Sequence, residues 1–592
     1  MSRVAKAWSL QAHEGEAIER LAARLRLSPI VAQLLLNRGL ADPDAAVRFL
    51  QAPLSGFHAP ELLPGVSRAA ELLLDAVQRG ERICVYGDYD ADGITGTAIL
   101  WRCIRLLGAT AVDYYLPNRL EEGYGLNIEA LRQIKATGTS LVVTVDCGIA
   151  SLEEADEARR LGLRLVVTDH HEMKERLPDA EVHVHPRLPG HTYPFGGLSG
   201  SGVAFKLAWA LAVRACGSEK VAPNFREFLL DAVMLAALGT VADVVPLHDE
   251  NRILVRHGLA RLKQSSSVGL KALVDASGLA DKPDLRASDI GFRLAPRINA
   301  VGRLGCARLV VDLLTTTTQP RAVDLARYLE KQNQDRQALE RQILRQAREM
   351  VEKGRLERAP ALVLANPDWH VGVIGIVAGR LADMYGRPTL LVAMRQDGAE
   401  NGALVGQGSG RSIPGFPLHD ALRACEEHLL THGGHQAAAG FRIRPEAIDG
   451  FRERFCAVAA ERIPAGPPAS RLLLDGEVPL SALTFGLLQE IDRLEPYGAE
   501  NPRPVLLAGG LEVVGEPKRM GGGERHVSFR VRQAGTTLRA VAFGMADRLD
   551  ELMADGGRCC LAFTPVLNEW QGYRSVELHV VDFQAGQVAQ LA

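Results

Sequence analysis

Short apolar runs alternate with helical patterns between about residues 80 and 250. Runs at 82–87, 112–116, 141–146 and 163–169 are typical of buried strands. Between them, residues 94–107, 128–137 and 152–161 carry apolar side chains at helical spacing. This alternation predicts a parallel sheet with helices on both faces.

Other parts of the chain have different patterns. Residues 15–50 predict short helices, and 318–357 predict one long polar helix with Thr318 as its cap and Pro320 in its first turn. A new α/β pattern opens at 361–364, and the composition of 463–470 is typical of a linker. The last 120 or so residues predict about five strands (511–514, 526–532, 538–543, 559–566 and 575–581), which suits a small barrel such as an OB-fold.

The sequence therefore predicts an α/β multidomain protein. Its predicted parts are an N-terminal helical segment at 1–50, a parallel-sheet domain at 51–316, a bridging helix at 317–357, a smaller α/β domain at 358–462 and a C-terminal β-barrel at 470–592.

Composition narrows the class of protein. The chain has 592 residues, 47% hydrophobic and 23% charged, which is ordinary for a globular protein. No apolar run reaches the ~18 residues of a membrane span, the first residues lack the apolar stretch of a signal peptide, and the nine cysteines are scattered. We expect a cytoplasmic monomer without membrane contact. The net charge of −3 argues mildly against a nucleic-acid partner, but clustered carboxylates would mask a basic groove.

Polar side chains follow three of the predicted strands. Asp88, Asp90 and Asp92 come after the first, Asp146 after the third, and Asp169-His170-His171 after the fourth. Ligands bind beyond the carboxyl ends of parallel strands. If 88–92 is extended, its three carboxylates share one side, raise one another's pKa and call for cations. A calcium-binding EF-hand loop is the alternative, but its acidic twelfth position would be the apolar Ile99.

Each further candidate also has a simpler interpretation. Asp146 alone would cap a helix, and a histidine pair alone would often lie on a surface loop. On an extended segment His170 and His171 would point opposite ways, one to a metal and the other to a substrate. Asp243 interrupts an apolar run and needs a partner.

Taken together, five of these side chains offer enough ligands for two metal ions that share one carboxylate. They are Asp90, Asp92, Asp146, His170 and Asp243. Oxygen-rich ligation with one imidazole favours Mn²⁺ or Mg²⁺ over zinc. Two such ions suit an in-line phosphoryl displacement.

Several motifs resemble those of the DHH phosphoesterases. They are Asp-Tyr-Asp-Ala-Asp-Gly at 88–93, Val-Asp-Cys-Gly-Ile at 145–149, Thr-Asp-His-His at 168–171 and Thr-Val-Ala-Asp-Val-Val-Pro-Leu at 240–247. Gly-Gly-His-Gln-Ala-Ala-Ala-Gly at 433–440 resembles the motif of the companion DHHA1 domain. Three more are similar to motifs of this family's bacterial single-strand-specific 5′-exonucleases: Pro-Arg-Ile-Asn-Ala-Val-Gly-Arg at 296–303, Trp-His-Val-Gly-Val-Ile-Gly at 369–375 and Ser-Gly-Arg-Ser-Ile at 409–413.

The resemblance implies roles for individual residues. It makes Asp90, Asp92, Asp146, His170 and Asp243 the metal ligands, with Asp146 as the bridge. Related pyrophosphatases have a histidine ligand to the first metal ion where this chain has Tyr86. Asp88 or water would therefore complete the coordination of that ion. The implied catalytic residues are His171, at the scissile phosphate, Asp146 and Asp88.

The resemblance also implies a set of substrate-binding residues: Arg119, Tyr124, Asn127, Arg297, Asn299, Arg303, Ser409, Arg411 and His435. Physical chemistry supports three of them directly. The guanidinium of Arg411 is a planar fork suited to phosphate, with the Ser409 hydroxyl two residues away. The ring of Tyr124 could stack on a base.

The implied activity is the release of mononucleotides from the 5′ end of single-stranded DNA, in DNA repair and recombination, with two Mn²⁺ or Mg²⁺ ions. A single-strand-binding protein and a helicase are candidate partners. One alternative is a DHH enzyme acting on short oligonucleotides or cyclic dinucleotides, which has no need of residues 470–592. Another is a non-catalytic scaffold that binds single-stranded DNA, against which the complete carboxylate and histidine set counts.

Overall fold

The computed structural model describes residues 6–396, 404–463, 471–570 and 572–591. The predicted linker at 463–470, apart from Ile463, lies outside these ranges. No helix among the described residues is both long and apolar enough to cross a membrane.

The N-terminal part consists of one strand and three helices. They are β1 (Ala7–Leu10), α1 (Gly15–Leu25), α2 (Pro29–Leu36) and α3 (Pro43–Gln51). Ser28 and Asp42 cap the second and third helices through their side chains, and a proline follows each cap. The helices confirm the sequence prediction, whereas β1 was not predicted.

A parallel five-stranded sheet follows. Its elements are α4 (Val66–Gln78), β2 (Ile83–Gly87), α5 (Ala91–Leu106), β3 (Val112–Tyr115), α6 (Ile128–Ala136), β4 (Leu141–Val145), α7 (Leu152–Arg160), β5 (Arg164–Thr168) and β6 (Val182–Val184). The strand order is β3-β2-β4-β5-β6, and every pair is parallel. Every residue of β2 and β4 is buried, as expected for a sheet covered on both faces.

Helices complete this first domain. They are α8 (Gly200–Cys216), α9 (Pro223–Ala242), α10 (Asp249–Leu262), α11 (Val268–Ala276), α12 (Ala287–Asp289), α13 (Ala295–Leu304) and α14 (Arg308–Thr315). A π-helical turn, Ile290–Leu294, joins α12 to α13.

The long helix α15 (Gln319–Lys353) connects the first two domains. Near its start Leu325 and Leu329 are buried in the core of the first domain, and near its end Ile343 and Val351 are buried in a core that includes the second domain. The predicted bridging helix is therefore confirmed. Thr318 occupies the N-cap position but makes no capping hydrogen bond through its side chain, contrary to the prediction.

The second domain is a mixed sheet with three helices. Its elements are β7 (Leu362–Asn366), α16 (Val371–Tyr385), β8 (Thr389–Gln396), β9 (Leu404–Arg411), α17 (Leu418–Arg423), β10 (Leu429–Gly434), β11 (Ala438–Ile443) and α18 (Ile448–Arg462). The strand order is β10-β11-β9-β8-β7, and only the β7–β8 pair is parallel.

The C-terminal domain contains a closed barrel. Its elements are β12 (Arg471–Leu474), β13 (Gly476–Glu477), α19 (Phe485–Asp492), β14 (Leu506–Met520), β15 (His526–Gln533), β16 (Thr536–Ala542), α20 (Leu549–Met553), β17 (Arg558–Trp570) and β18 (Tyr573–Ala585). Closure follows the order β14-β15-β16-β18-β17, with β17 pairing back to β14. This five-stranded closure confirms the predicted OB-type barrel.

The two ends of the chain pack together. Strand β1 pairs in parallel with β12, and the helices α1 to α3 share a hydrophobic core with the barrel, as Leu34 and Phe529 illustrate. Arg252 of α10 fastens this unit to the first domain, because its guanidinium donates to the carbonyl oxygens of Phe49 and of residues 493–495. The predicted N-terminal segment is thus part of the barrel's core.

Candidate metal centre and substrate groove

Three carboxylates converge where β2 ends and α5 begins. Asp88 follows the strand, Asp90 caps the helix and Asp92 lies in its first turn. The Asp90 Oδ1 atom accepts the N–H groups of Asp92 and Gly93 at 2.9 and 3.2 Å. The prediction of an extended segment was therefore wrong, since a strand-to-helix turn brings these carboxylates together.

The other predicted ligands come from three separate elements. Asp146 follows β4 with a positive φ of 63°, His170 follows β5, and Asp243 ends α9. The His170 Nε2 atom lies 3.1 Å from Asp146 Oδ1, 3.5 Å from Asp243 Oδ2 and 4.0 Å from Asp92 Oδ2.

These side chains form overlapping triads whose ligand atoms lie within 4.8 Å of one another. The triads are Asp88-Asp90-Asp146, Asp92-His170-Asp243 and Asp146-His170-His171. Asp146 and His170 each belong to two of the three groups, and of the two only the carboxylate has two oxygens to share between ions. The structure brings the predicted ligands together and places Asp146 where it could bridge two ions.

The cluster is electrostatically unfavourable without a cation. Burial and then neighbouring carboxylates raise the pKa of Asp88, Asp90 and Asp146, and the same causes raise the pKa of Asp243 to about 8. Burial lowers the pKa of His170 to about 4, so its imidazole is neutral and able to bind metal.

Unpaired buried atoms support the same interpretation. Asp88 Oδ1, Asp146 Oδ1 and His170 Nε2 are buried and make no hydrogen bond within the described structure. Such atoms are costly unless they have a partner that the protein does not supply. Carboxylate oxygens with one imidazole are a donor set that fits Mn²⁺ or Mg²⁺.

Two glycines let helices approach the carboxylates. Asp92 accepts the N–H groups of Gly200 and Ser201, at the start of α8, at 2.6 and 3.0 Å. A Cβ atom on Gly200 would lie 2.5 Å from Asp146 Oδ1, and one on Gly239 would lie 2.3 Å from Asp92 Oδ1. Sequence reasoning did not identify these glycines, because their role appears only when α8 and α9 meet the strand ends.

The two adjacent histidines point the same way. Their ring centroids are 4.4 Å apart, and the Nδ1 atom of His171 lies 3.9 Å from Asp146 Oδ1, so the expectation of opposite directions was wrong. The carboxylate of Asp169 fixes this arrangement. It accepts the backbone N–H groups of both histidines and binds His171 Nδ1 at 2.8 Å.

Asp169 and His171 form an ion pair. Although burial opposes both charges, the hydrogen bond between them and their mutual attraction lower the pKa of Asp169 to about 2 and raise the pKa of His171 to about 9. His171 therefore carries a positive charge beside the cluster at neutral pH. Sequence reasoning had placed Asp169 at a strand end but had not given it this role.

Tyr86 does not replace the missing histidine ligand. Its hydroxyl donates to the Gly125 carbonyl oxygen at 3.0 Å, and its ring stacks on Tyr115 with centroids 5.3 Å apart. Asp88 instead lies among the candidate ligands.

Three of the predicted substrate-binding residues form an arginine cluster between the first two domains: Arg119, Arg303 and Arg411. Burial and then the charges of the other two arginines lower the pKa of Arg303 to about 9, and burial and then Arg119 lower that of Arg411. None of the three pairs with a carboxylate among the described residues. Three guanidinium groups held together without a direct ion pair form a site suited to an anion.

Contacts within the protein hold these arginines in place. Arg303 donates to the carbonyl oxygen of Gly372 at 3.1 Å, and Arg411 donates to Ser409 Oγ at 3.3 Å. The guanidinium carbon of Arg119 lies 4.9 Å from the ring centroid of Tyr89, the residue between Asp88 and Asp90. The arginine cluster therefore lies next to the carboxylates.

Other predicted substrate contacts are engaged within the protein. Asn127 caps α6 by accepting the Ala130 N–H, and Asn299 accepts the Ala91 N–H at 2.8 Å. Arg297 pairs with Glu330 of α15 at 2.5 Å. Each of these three therefore makes a contact within the protein, and its role in substrate binding stays a prediction.

The remaining two predicted contacts are exposed. The hydroxyl of Tyr124 lies 3.1 Å from the carbonyl oxygen of Asp146 and 3.0 Å from His171 Nδ1, and 52% of this residue's surface is exposed. His435 is exposed between β10 and β11.

This fold and site define the class of protein. Residues 82–237 match the model of the DHH family, N-terminal domain, residues 358–461 match the DHHA1 domain, and residues 474–582 match the RecJ OB domain.

Individual relatives narrow the class further. The chain is 38% identical to the single-stranded-DNA-specific exonuclease RecJ of Dickeya dadantii (strain 3937), over 93% of this chain and 95% of that protein. It is similar to crystal structures of RecJ from Thermus thermophilus in complex with Mn²⁺ (TM-score 0.82) and with Mg²⁺ (TM-score 0.76). Both are 34% identical in sequence and match 98% of this chain, and 80% and 79% of their own chains respectively. The chain belongs to the RecJ family of single-stranded-DNA-specific exonucleases.

We expect Gly239→Ala to weaken Mn²⁺ binding about ten- to a hundredfold, because the new methyl group would displace the Asp92 carboxylate. Isothermal titration of the metal-free protein would measure this. The control is Gly522→Ala, where a Cβ atom meets nothing within 4 Å. Equal affinities in both variants would contradict the packing argument.

We expect the metal-free protein to lose stability as the pH rises. The folded-state pKa of Asp243 is about 8, above the ~3.9 of an unfolded aspartate. Its contribution to the free energy of unfolding is therefore complete below pH ~4 and declines as the pH rises to about 8. The thermal unfolding midpoint in chelator should fall from pH 6 to pH 8, and Mn²⁺ should restore it. Asp243→Asn should flatten this dependence. A midpoint that does not change with pH in the metal-free wild type would contradict the account.

Proposed function

We propose that this protein is a single-stranded-DNA-specific exonuclease that releases mononucleotides from the 5′ end with the help of two divalent ions. The observation that carries the proposal is the buried carboxylate and imidazole cluster beside three arginines that form no ion pair with any described residue. A cation site next to an anion site is what phosphodiester hydrolysis at a strand terminus requires.

The protein's residues divide the chemical work. Asp88, Asp90 and Asp146 would hold one ion, while Asp92, Asp146, His170 and Asp243 would hold the other. When bound, Mn²⁺ or Mg²⁺ lowers the pKa of water and stabilises charge on a reacting phosphate. The charged imidazole of His171, fixed by Asp169 and next to Tyr124, would donate a hydrogen bond to a phosphate oxygen.

The position of the arginine cluster would set the polarity of the bound strand. A 5′-terminal phosphate carries more charge than an internal phosphodiester, so it would occupy the site of Arg119, Arg303, Arg411 and Ser409. The next phosphodiester would then lie at the carboxylates. His435 would reach the substrate from the second domain.

The barrel offers a surface for the rest of the strand. Phe543 is 46% exposed, and its ring centroid lies 5.5 Å from that of His526 and 5.1 Å from that of His579. On the neighbouring strands Arg530 and Arg539 are paired in register, and both are exposed. Strands β15 and β16 are the second and third of the barrel, the usual oligonucleotide-binding face of an OB-fold. Stacking and backbone contacts there would not depend on base sequence.

The remaining parts of the proposal concern the cellular setting. The protein would act as a monomer in DNA repair and recombination in the cytoplasm, with a single-strand-binding protein and a helicase as candidate partners. A DHH enzyme for short oligonucleotides or cyclic dinucleotides would make no use of the barrel, so the barrel favours long strands as substrates.

Asp146→Ala should abolish hydrolysis while leaving the fold intact, since this carboxylate belongs to two of the candidate triads. Asp88→Ala should cost less activity, because Asp88 belongs to one triad. Nuclease rates with Mn²⁺ and circular dichroism would be compared for both variants. Equal, mild losses would mean that the ligand assignment is wrong.

Arg411→Ala should slow degradation of 5′-phosphorylated strands by roughly ten- to a hundredfold, the value of about one charge-assisted hydrogen bond. Strands with a 5′-hydroxyl should be affected less. Initial rates on both substrates test this, with Arg423→Ala on the exposed face of α17 as the control. Equal slowing on both substrates would make Arg411 a general backbone contact.

Phe543→Ala should weaken binding to long single strands by about tenfold, the value of one base-stacking contact, and should spare cleavage of short oligonucleotides. Point variants are needed because deletion of the barrel would expose the core that it shares with α1 to α3. The control is Phe485→Ala, which removes a ring that is 48% exposed elsewhere in the same domain. If Phe543→Ala binds long single strands as tightly as the wild type, this face of the barrel does not contact the DNA.

A further inference from the structure

A turn of the C-terminal domain contacts the segment that follows Asp243. This segment, residues 244–248, joins α9 to α10, and we call it the connector. The backbone N–H of Leu247 in the connector donates to the carbonyl oxygen of Ala499 at 2.8 Å. The C-terminal domain therefore holds the chain four residues beyond a candidate metal ligand.

The packing at this contact is close, and the turn that makes it is rigid. Leu247 is buried, and a Cβ atom on Gly498 would lie 2.5 Å from its Cδ1 atom and 3.1 Å from its Cγ atom. The backbones of Gly498 and Asn501 exchange two hydrogen bonds, at 2.9 and 3.2 Å. The buried Asn501 side chain donates to two more carbonyl oxygens of the same loop, at 2.9 and 2.8 Å. A side chain at position 498 would therefore displace Leu247 rather than the turn.

The backbone of the connector is strained at its first residue. Val244 has a φ of 61°, which is an outlier for a β-branched residue. Its side chain is 69% exposed, so its own packing does not offset the strain. Such a conformation persists only where surrounding contacts impose it. Two contacts do so from further along the chain: the bond from Leu247 to Ala499, and the side-chain amide of Asn251, which donates to the Pro246 carbonyl oxygen at 3.0 Å.

This strain lies directly beside Asp243, at the end of α9. The N–H of Asp243 still makes a helical bond to the Gly239 carbonyl oxygen at 2.9 Å, but the N–H of Val244 reaches that of Val241 only at 3.4 Å. Helix ends fray readily. If the connector were released, Val244 would relax to a negative φ and redirect the chain there. The Asp243 carboxylate would then leave its position 3.5 Å from His170 Nε2.

We propose that Leu247 and the turn at 498–501 are positioning elements of the metal centre. They would hold the Asp243 carboxylate where it binds one ion together with Asp92 and His170. The inference rests on the proposed function, because it takes Asp243 as a ligand of one of two ions. It gives the C-terminal domain a second role, at the metal centre. Because coupling between two sites is reciprocal, occupation of this ion site must also strengthen the contact with the turn.

The test is a calorimetric Mn²⁺ titration of the metal-free full chain. Asp243→Asn identifies the binding step of the ion that Asp243 holds, because that step should weaken most. Gly498→Ala should weaken the same step about tenfold, as loss of support for a metal ligand does, and leave the other step unchanged. Leu247→Ala, which removes the contact from the opposite side, should have the same selective effect. The control is Gly522→Ala in the same domain, where a Cβ atom meets nothing within 4 Å.

A rescue variant separates positioning from a purely structural role. Asparagine adopts a positive φ more readily than valine. Val244→Asn should therefore keep Asp243 in place when the contact with the turn is weakened. Combined with Gly498→Ala, it should restore most of the lost affinity. A general loss of packing would not respond to a substitution at an exposed residue.

Hydrogen exchange gives the reciprocal readout. Saturation with Mn²⁺ should slow exchange of the Leu247 N–H in the wild type but not in Asp243→Asn. The inference would be overturned if Gly498→Ala and Leu247→Ala bound both ions like the wild type, if they weakened both steps equally, or if Val244→Asn restored nothing. Failure of the proposed function would look different, because the wild type would then bind fewer than two ions or Asp243→Asn would weaken neither step.

Discussion

Repulsion among buried carboxylates is the constraint on which the rest of this structure depends. Asp88, Asp90 and Asp92 come from one turn, and they meet Asp146 and Asp243, from two other places in the chain, in a space that excludes most water. The fold supplies part of the compensation: Asp92 accepts two N–H groups at the start of α8, and Asp90 accepts two from α5. His171 and Arg119 offset part of the remaining negative charge, and divalent ions are the natural complement of the rest.

The surrounding elements serve this arrangement in physically distinct ways. The parallel sheet brings strand ends to one edge, and the glycines of α8 and α9 allow close packing against the carboxylates. Asn299 of α13 holds the turn that carries Asp90 and Asp92, because its side chain accepts the N–H of Ala91. Next to the carboxylates, burial places three arginines where their mutual repulsion favours a bound anion. The site thus holds an excess of negative charge at the carboxylates next to an excess of positive charge at the arginines. Bound metal ions would neutralise the first, and the phosphate of a strand end would neutralise the second.

The sequence was informative where local patterns decide the structure. Alternating apolar runs predicted the sheet, and the turn residues and apolar pattern after residue 500 predicted the barrel. The clustering of Asp146 and His170 was predictable because parallel strands end at a common edge. Asp243, at the end of helix α9, was linked to them in the sequence only by its need for a partner. The predicted geometry of residues 88–92 was wrong because an N-cap at Asp90 starts a helix immediately. Sequence could not distinguish Asn127, Asn299 and Arg297 as internal braces, since a polar residue in a motif looks the same whether it binds a substrate or a backbone N–H. It also could not reveal that β1 pairs with a strand more than 460 residues away.

The central claim is that the Asp146 carboxylate is shared by two metal ions. Electron paramagnetic resonance during Mn²⁺ titration of the metal-free protein tests it most directly, because two Mn²⁺ ions bridged by a carboxylate are magnetically coupled. The account predicts two bound ions per chain with a coupled spectrum at saturation. A single bound ion, or two ions with the spectrum of isolated Mn²⁺, would contradict it.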